Sequence, residues 1–308
     1  MITTVIVSRD RPAQLHLLLE SIQRNGGNLF HLTVLFEASS EYFLEGYVKA
    51  QQFFSKKNRK DFNFPIRWKQ RESSNLNEDL LKILSNSREL VCLFNDQNIL
   101  FERVSSYKKI KKLFSTHSMS ALSLRLGNNT VIQNPYEPGN YLADKPKEGE
   151  FDLDRFLIWD ATKIKSYTNF GMPFSTNGHI YHENLIKNVL ARTKVEDHDD
   201  FEIEVQKGLY GGAFGGKIPP KMSCVEYSVV IHNSCDKISD SNRSKYDTTE
   251  IGVNHRYIEG DIIDYNSFDD VEADTTIMLK FEEYIDSSDL NIFMKGESNY
   301  LDMKDMLW

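Results

Sequence analysis

The chain has 308 residues, a formal net charge of −8, and 40% hydrophobic and 27% charged residues. That is room for about two domains, or for one large α/β domain with an extension, and the composition excludes wholesale disorder. The acidic balance offers no basic field for nucleic acid, no apolar run reaches the length of a membrane span, and three cysteines (Cys92, Cys224, Cys235) with no CxxC pair argue against a disulfide or zinc framework.

The first eight residues form a β-branched run with no basic segment before it. They read as a strand rather than a signal peptide, and a cytoplasmic location is the expectation. The run Thr3 to Ser8 suits a buried parallel strand. Asp10 is a possible N-cap for the helix that follows, and Pro12 fits its first turn. Leu15, Leu18, Leu19 and Ile22 form one apolar stripe, and the run Asn25 to Asn28 ends the helix. Leu32 to Phe36 is a second strand, and a helix is predicted from about Glu41 to Ser55. Ile66 to Lys69 is a weaker third strand. Asn77 or Ser74 is placed to cap a helix carrying Leu80, Leu81 and Leu84. Leu90 to Phe94 has no polar interruption, which predicts a central strand. Four βα units in a row imply a parallel sheet covered by helices on both faces.

Beyond residue 104 the pattern loosens. Ser105 to Phe114 reads as a basic helix, Ala121 to Leu126 as a strand, and Asn134 to Glu150 as a long loop. Phe156 to Trp159 is a candidate strand. The stretch His179 to His182 reads as loop, and its HxxHE order is not that of a zinc protease. From Asp236 onward the chain carries 18 acidic and 7 basic residues, which leaves a balance of +3 for residues 1–235. An anionic ligand is therefore expected in the first part. Residues 236–308 form an acidic extension, open to capping the sheet, pairing with a second copy or docking on a larger assembly.

In an open parallel sheet, ligands sit beyond the carboxyl ends of the strands. Those ends carry Ser8 to Arg11, Glu37 to Ser40, Gln70 to Glu72, and Asn95 to Asn98. Arginines beside short acceptors, with the Asp96 carboxylate set among the amides of Asn95, Gln97 and Asn98, suit a nucleoside diphosphate with a hard cation. No GxGxxG follows the first strand. Residues 211–217 imitate a Walker A spacing, but Ile218 replaces the metal-holding Ser or Thr and Pro219 blocks the helix, so this is a surface loop or a lid. No GxSxG elbow occurs.

Several of these segments, in the same order, resemble a glycosyltransferase-like family. They are Ser8 to Pro12 with Gln14-Leu15 and Leu19 to Ile22, then Gly46-Tyr47, Leu93 to Phe101, Ser123 to Gly127, and Pro173 to Ile180. Weaker echoes lie at Phe201-Glu202, His232-Asn233 and Asn254 to Gly260. The resemblance implies a GT-A-type fold, with a Rossmann-like nucleotide-sugar half (about 1–103) merged with an acceptor half (about 104–235). It implies transfer of a sugar from a nucleotide donor, such as a UDP-sugar, to an acceptor hydroxyl. By position Ser8, Arg9, Arg11, Glu37 and Arg71 would line the nucleotide. Asp96, with Asn98, would hold Mn²⁺ or Mg²⁺, bound weakly and with the donor's help, or catalysis proceeds without metal. Asn95, Asn177, His179 and Trp159 would face the donor or acceptor sugar, with Tyr181 a further candidate for stacking.

Two positions depart from the family. Its paired aspartates become Asn95-Asp96, and the aspartate of its Asp-Gly-His becomes Asn177. An amide is no general base. An inverting transfer needs a carboxylate near the acceptor hydroxyl, and the acidic run Glu196 to Glu202 supplies one. Glu202 is the first choice and Asp200 the second. The two departures also motivate an alternative, a non-catalytic nucleotide- or glycan-binding relative. A nucleotidyltransferase is a third reading, but it lacks the Gly-rich basic loop after the first strand.

Overall fold

A computed structural model describes residues 1–56, 65–73, 75–87, 89–133, 141–142, 146, 149–164, 169–193, 202, 204–205, 207, 218–232, 250–265, 277–279, 293–295 and 300–302. The opening units follow the apolar pattern closely. Strand β1 (Ile2–Arg9) leads into helix α1 (Pro12–Asn25), whose stripe of Leu15, Leu18, Leu19 and Ile22 is wholly buried. Strand β2 (Phe30–Glu37), helix α2 (Glu41–Lys56), β3 (Arg67–Gln70), α3 (Leu76–Leu84) and β4 (Leu90–Asn95) follow. Two caps differ from the sequence reading. Asp10 does not cap α1: it takes a left-handed φ of 56° and its carboxylate accepts the Ser39 N–H at 2.7 Å, tying the β1 and β2 loops together. Helix α3 is capped by Asn75, whose side chain accepts the Asn77 N–H.

After β4 come the short β5 (Asn98–Leu100), α4 (Tyr107–Thr116), β6 (Met119–Ser123), β7 (Thr130–Gln133) and β8 (Tyr141–Leu142). Then follow β9 (Glu150–Phe151), β10 (Leu157–Asp160), β11 (His179–His182), α5 (Glu183–Leu190), β12 (Lys221–Cys224) and β13 (Val230–His232).

The main sheet has nine strands in the order β3-β2-β1-β4-β11-β6-β12-β10-β9. The pairings make every strand parallel to β1 except β11 and β10. Strand β4 is central and fully buried, as its unbroken apolar run predicts. Strand β11 is the main correction. Four residues bounded by histidines carry too little periodicity to read as a strand. Yet Ile180 and Tyr181 are fully buried, and β11 runs antiparallel between β4 and β6, joining the two halves of the sheet.

Helices cover both faces. On β1 and β4 the alternation places Ile2, Ile6, Cys92 and Phe94 toward α1 and α2, and Val5, Val7, Val91 and Leu93 toward α3 and α5. This is the α/β, mostly parallel, Rossmann-like architecture that the GT-A resemblance implies.

Within the acidic segment, α6 (Glu250–Glu259) packs on α1 and α2. The Tyr257 hydroxyl bonds the Nδ1 of buried His16 at 2.8 Å, and the Lys49 ammonium donates to the carbonyls of Tyr257 and Ile258 at the helix's end. Gly46 marks where α1, α2 and α6 meet. A Cβ there would lie 2.2 Å from Asn254 Oδ1 and 2.5 Å from Pro12 Cγ. Strand β14 (Ile262–Asp264) also rests on α1 and pairs with β16 (Phe293–Lys295), which pairs with β17 (Tyr300–Asp302). Strand β15 (Ile277–Leu279) adds to β7. Among the described residues no helix is long and apolar enough to cross a membrane.

Candidate functional site

Parallel register brings the strand ends together. Arg9 lies beside Glu37, Val7 beside Asn95, and Phe36 beside Gln70. The chain turns from β1 to β2 on one side, while β4 lies on the other side of β1. The crevice where strand order reverses is therefore at β1 and β4.

A shallow, solvent-open cleft lies over the ends of β1 and β2, lined among others by Ser8, Arg9, Phe36, Glu37 and Arg71. The Glu37 carboxylate sits between two cations. Arg9 Nε is 3.8 Å away, and the Arg71 guanidinium donates directly to it while its Nε donates to the Ser73 carbonyl. The turn that carries Arg71 is held from below by Asp79, whose buried carboxylate accepts the N–H groups of Glu72 and Ser73. Burial pushes the Asp79 pKa up, but those two N–H groups and the ammoniums of Lys69 and Lys82 outweigh it and hold the group below the usual aspartate value.

Asp96 joins the β4 loop to the β1 loop. It is 1% exposed; its carboxylate accepts the Arg9 N–H at 3.1 Å and faces Arg11 Nη1 at 3.8 Å. Tyr47 completes the corner from α2: its hydroxyl pairs with Ser8 Oγ at 2.7 Å and accepts the Arg11 N–H at 3.2 Å. Burial, then the Asp96 charge, pushes the Tyr47 phenol well above its ordinary pKa, so it stays neutral.

A second group of polar side chains adjoins this corner. Asn177 Oδ1 accepts from Asn95 Nδ2 and from Asn98 Nδ2, both at 2.9 Å. Asn177 Nδ2 donates to Ser175 Oγ at 3.2 Å and to Glu202 Oε1 at 3.3 Å. Glu202 Oε1 also accepts the Ser175 hydroxyl and the Thr176 N–H, each at 2.7 Å, and the Thr176 hydroxyl at 3.3 Å. Four donors on one oxygen suit an ionised carboxylate. Gly178, with φ +70°, gives the turn that presents Asn177 to β4, and an added Cβ would press on the Phe94 ring at 3.1 Å.

Ser8, Arg9, Arg11, Glu37, Arg71 and Asp96 therefore gather at one corner. Asn95, Asn98, Asn177 and Glu202 form the network next to it. His179 is buried beside that network, its Nδ1 3.4 Å from the Asn177 carbonyl. Trp159 does not face a sugar: it is 3% exposed, donates its Nε1–H to the Phe170 carbonyl and packs edge-on against that ring. Tyr181 is likewise core, its hydroxyl locked between the N–H and carbonyl of Ser175. Asp200 and the rest of the run 196–201, like the glycine-rich residues 208–217, lie outside the described residues.

The sequence reading missed Tyr47, Ser175 and Thr176 as site residues, and it missed Arg125, a 2%-exposed guanidinium that bonds Asn169 Oδ1. Tyr47 and Arg125 sat inside the matching segments. Ser175 and Thr176 did too, in the segment Pro173 to Ile180.

The described residues do not by themselves make a site for a resident divalent cation. Asp96 is engaged by Arg9 and Arg11, and Asn98 Oδ1 accepts the Asn95 N–H at 3.1 Å. Among the described residues no three His, Cys, Asp or Glu side chains cluster as a metal would need.

No family model and no curated protein matches the chain. Solved structures do. Staphylococcus aureus TarS, residues 1–349, is 14% identical over 76% of this chain and 61% of its own, with a TM-score of 0.44. The same fragment in complex with UDP-GlcNAc is 14% identical over 82% of this chain and 64% of its own, at 0.45. The chain thus spans less than two thirds of those fragments. A 4-diphosphocytidyl-2C-methyl-D-erythritol synthase from Anaerococcus prevotii is 12% identical over 74% of this chain and 88% of its own, at 0.35.

Proposed function

We propose that the chain is a nucleotide-sugar-dependent glycosyltransferase that moves a sugar to an acceptor hydroxyl in one displacement, with inversion. One observation carries this reading. The loops after β1, β2 and β4 meet at one corner, where a cleft lined by Ser8, Arg9, Glu37 and Arg71 opens over the β1 and β2 ends, and beside that corner a continuous hydrogen-bonded chain leads from buried Asn95 through Asn177 to the carboxylate of Glu202.

The diphosphate lies against Arg9 and Arg11, and the base and ribose enter the cleft beside Glu37 and Arg71. Glu202 removes the acceptor's hydroxyl proton. The acceptor oxygen then bonds to the anomeric carbon, the bond from that carbon to the phosphate oxygen breaks, and the nucleoside diphosphate leaves with the electron pair. The arginines stabilise the charge that develops on it.

Thermal shifts with UDP, GDP and CDP, each with and without Mn²⁺, followed by hydrolysis of a panel of nucleotide sugars, test this. A bound nucleotide raises stability by RT ln(1+[L]/Kd). Stabilisation by one nucleotide together with turnover of its sugar is the expected result. No shift with any nucleotide overturns the reading. A shift without turnover favours a non-catalytic binding relative, for which the amides at positions 95 and 177 are the motivating observation.

A further inference from the structure

The two positions where the sequence departs from the resembling family, Asn95 and Asn177, are in direct contact, and this contact gives Asn177 a task. The orientation of its amide is fixed by backbone donors. Asn98 Oδ1 accepts the Asn95 N–H at 3.1 Å, so the Nδ2 of Asn98 must be the atom that faces Asn177. Asn95 Oδ1 accepts the Gln97 N–H at 3.1 Å, which fixes its Nδ2 in the same way. Asn177 therefore turns its carbonyl to these two amides and its NH₂ to Ser175 and Glu202. Asn177 is 1% exposed, so what it presents to Glu202 is little screened by water.

The geometry points to Asn177 as a positioning residue for Glu202: its NH₂ joins Ser175 and Thr176 in donating to the Glu202 carboxylate, and a carboxylate at position 177 would both remove that donor and oppose the ionisation of Glu202. This rests on the role proposed for Glu202 above. An aspartate at 177 would keep one oxygen toward Asn95 and Asn98 without loss. Its other oxygen would stand where Nδ2 now lies, 3.3 Å from Glu202 Oε1. Two carboxylates at that distance in a buried site cannot both ionise at neutral pH. Among the described residues, the other titratable or charged groups facing this place are Tyr181 and His179 on β11, Cys92 on β4, and Arg125 after β6. Burial raises the Tyr181 and Cys92 pKa values well above their ordinary ranges, so neither supplies a competing negative charge.

The test compares Asn177→Asp, Glu202→Gln and the double variant with the parent chain by thermal unfolding between pH 5 and 8. Asn177→Asp should lose stability at pH 8 and regain it toward pH 5, as the pair takes up one proton. The double variant, with a single carboxylate, should lose that pH dependence. If Asn177→Asp does not fold at pH 8 while the double variant does, the conclusion is the same. A pH-independent loss in Asn177→Asp, or a double variant as unstable as the single one, overturns the inference. Where a donor sugar is turned over, the acid limb of the Asn177→Asp rate profile should also move up by roughly one pH unit or more. The unfolding readout needs no substrate. A chain inactive on every donor sinks the transferase reading and leaves the carboxylate pairing to be judged by its own measurement.

Discussion

Replacing Asp96 with asparagine separates a structural ion pair from a metal ligand. The carboxylate is 1% exposed, accepts the Arg9 N–H, and stands 3.8 Å from a guanidinium that is itself only 13% exposed. At an effective dielectric constant near 20, a charge pair at this distance attracts by about 4 kcal/mol, and desolvation offsets part of that. The amide keeps one acceptor for Arg9 but loses the charge and turns an NH₂ toward Arg11 or the Arg9 N–H. A net loss of about 2–3 kcal/mol follows for a buried pair broken on one side. In a chain of this size that lowers the midpoint of thermal unfolding by about 3–5 °C. The loss should persist in 0.5 M NaCl, because so little of the pair is reached by counterions. Differential scanning calorimetry of both chains, in low and high salt and with Mn²⁺ or Mg²⁺ alone, is the measurement. The expected record is a salt-insensitive drop and no response of either chain to metal alone. An Asp96→Asn chain as stable as its parent, or a metal-induced stabilisation of the parent that the variant loses, refutes this account of Asp96.

Glu202→Gln should fold normally, bind nucleotide unchanged, and lose donor-to-acceptor transfer by about 10²–10⁴-fold; steady-state rates beside nucleotide affinity check it, and an unchanged rate removes Glu202 from the chemistry. Gly46→Ala gains helix propensity, yet its Cβ meets Asn254 Oδ1 at 2.2 Å and Pro12 Cγ at 2.5 Å. The net effect is a loss of about 1–3 kcal/mol with weakened amide protection in α6, partly restored by a second change, Asn254→Ala; hydrogen exchange reports it, and intact protection in the single variant contradicts the crossing described here. For Asp79 the sign follows from its lowered folded-state pKa. The stability it contributes is present above the unfolded value near about 3.9 and is lost as pH falls through the folded one. Asp79→Asn should therefore be less stable at pH 7 and less steeply destabilised by acid between about pH 4 and pH 2; a parallel melting curve against pH for both chains would disprove that assignment.

The sequence alone determined the Rossmann-like half. β1, α1, β2 and β4 bury unbroken or regularly spaced apolar residues, and burial of that kind is set locally, by a period of two or of 3.6 residues. The rule that ligands gather at the carboxyl ends of parallel strands then made Arg9, Glu37, Arg71 and Asp96 legible before any coordinates. Tertiary structure decided the rest. Strand β11 is too short to show a period, and it is a strand because β4 and β6 stand on either side of it with backbone groups to satisfy. Trp159 looked like a stacking platform until packing on Phe170 took it into the core. The contact of Asn95 with Asn177, 82 residues apart, is invisible in the one-dimensional order. Such pairs exist only once the sheet has closed, because a hydrogen bond is specified by position in space and an apolar stripe by spacing along the chain.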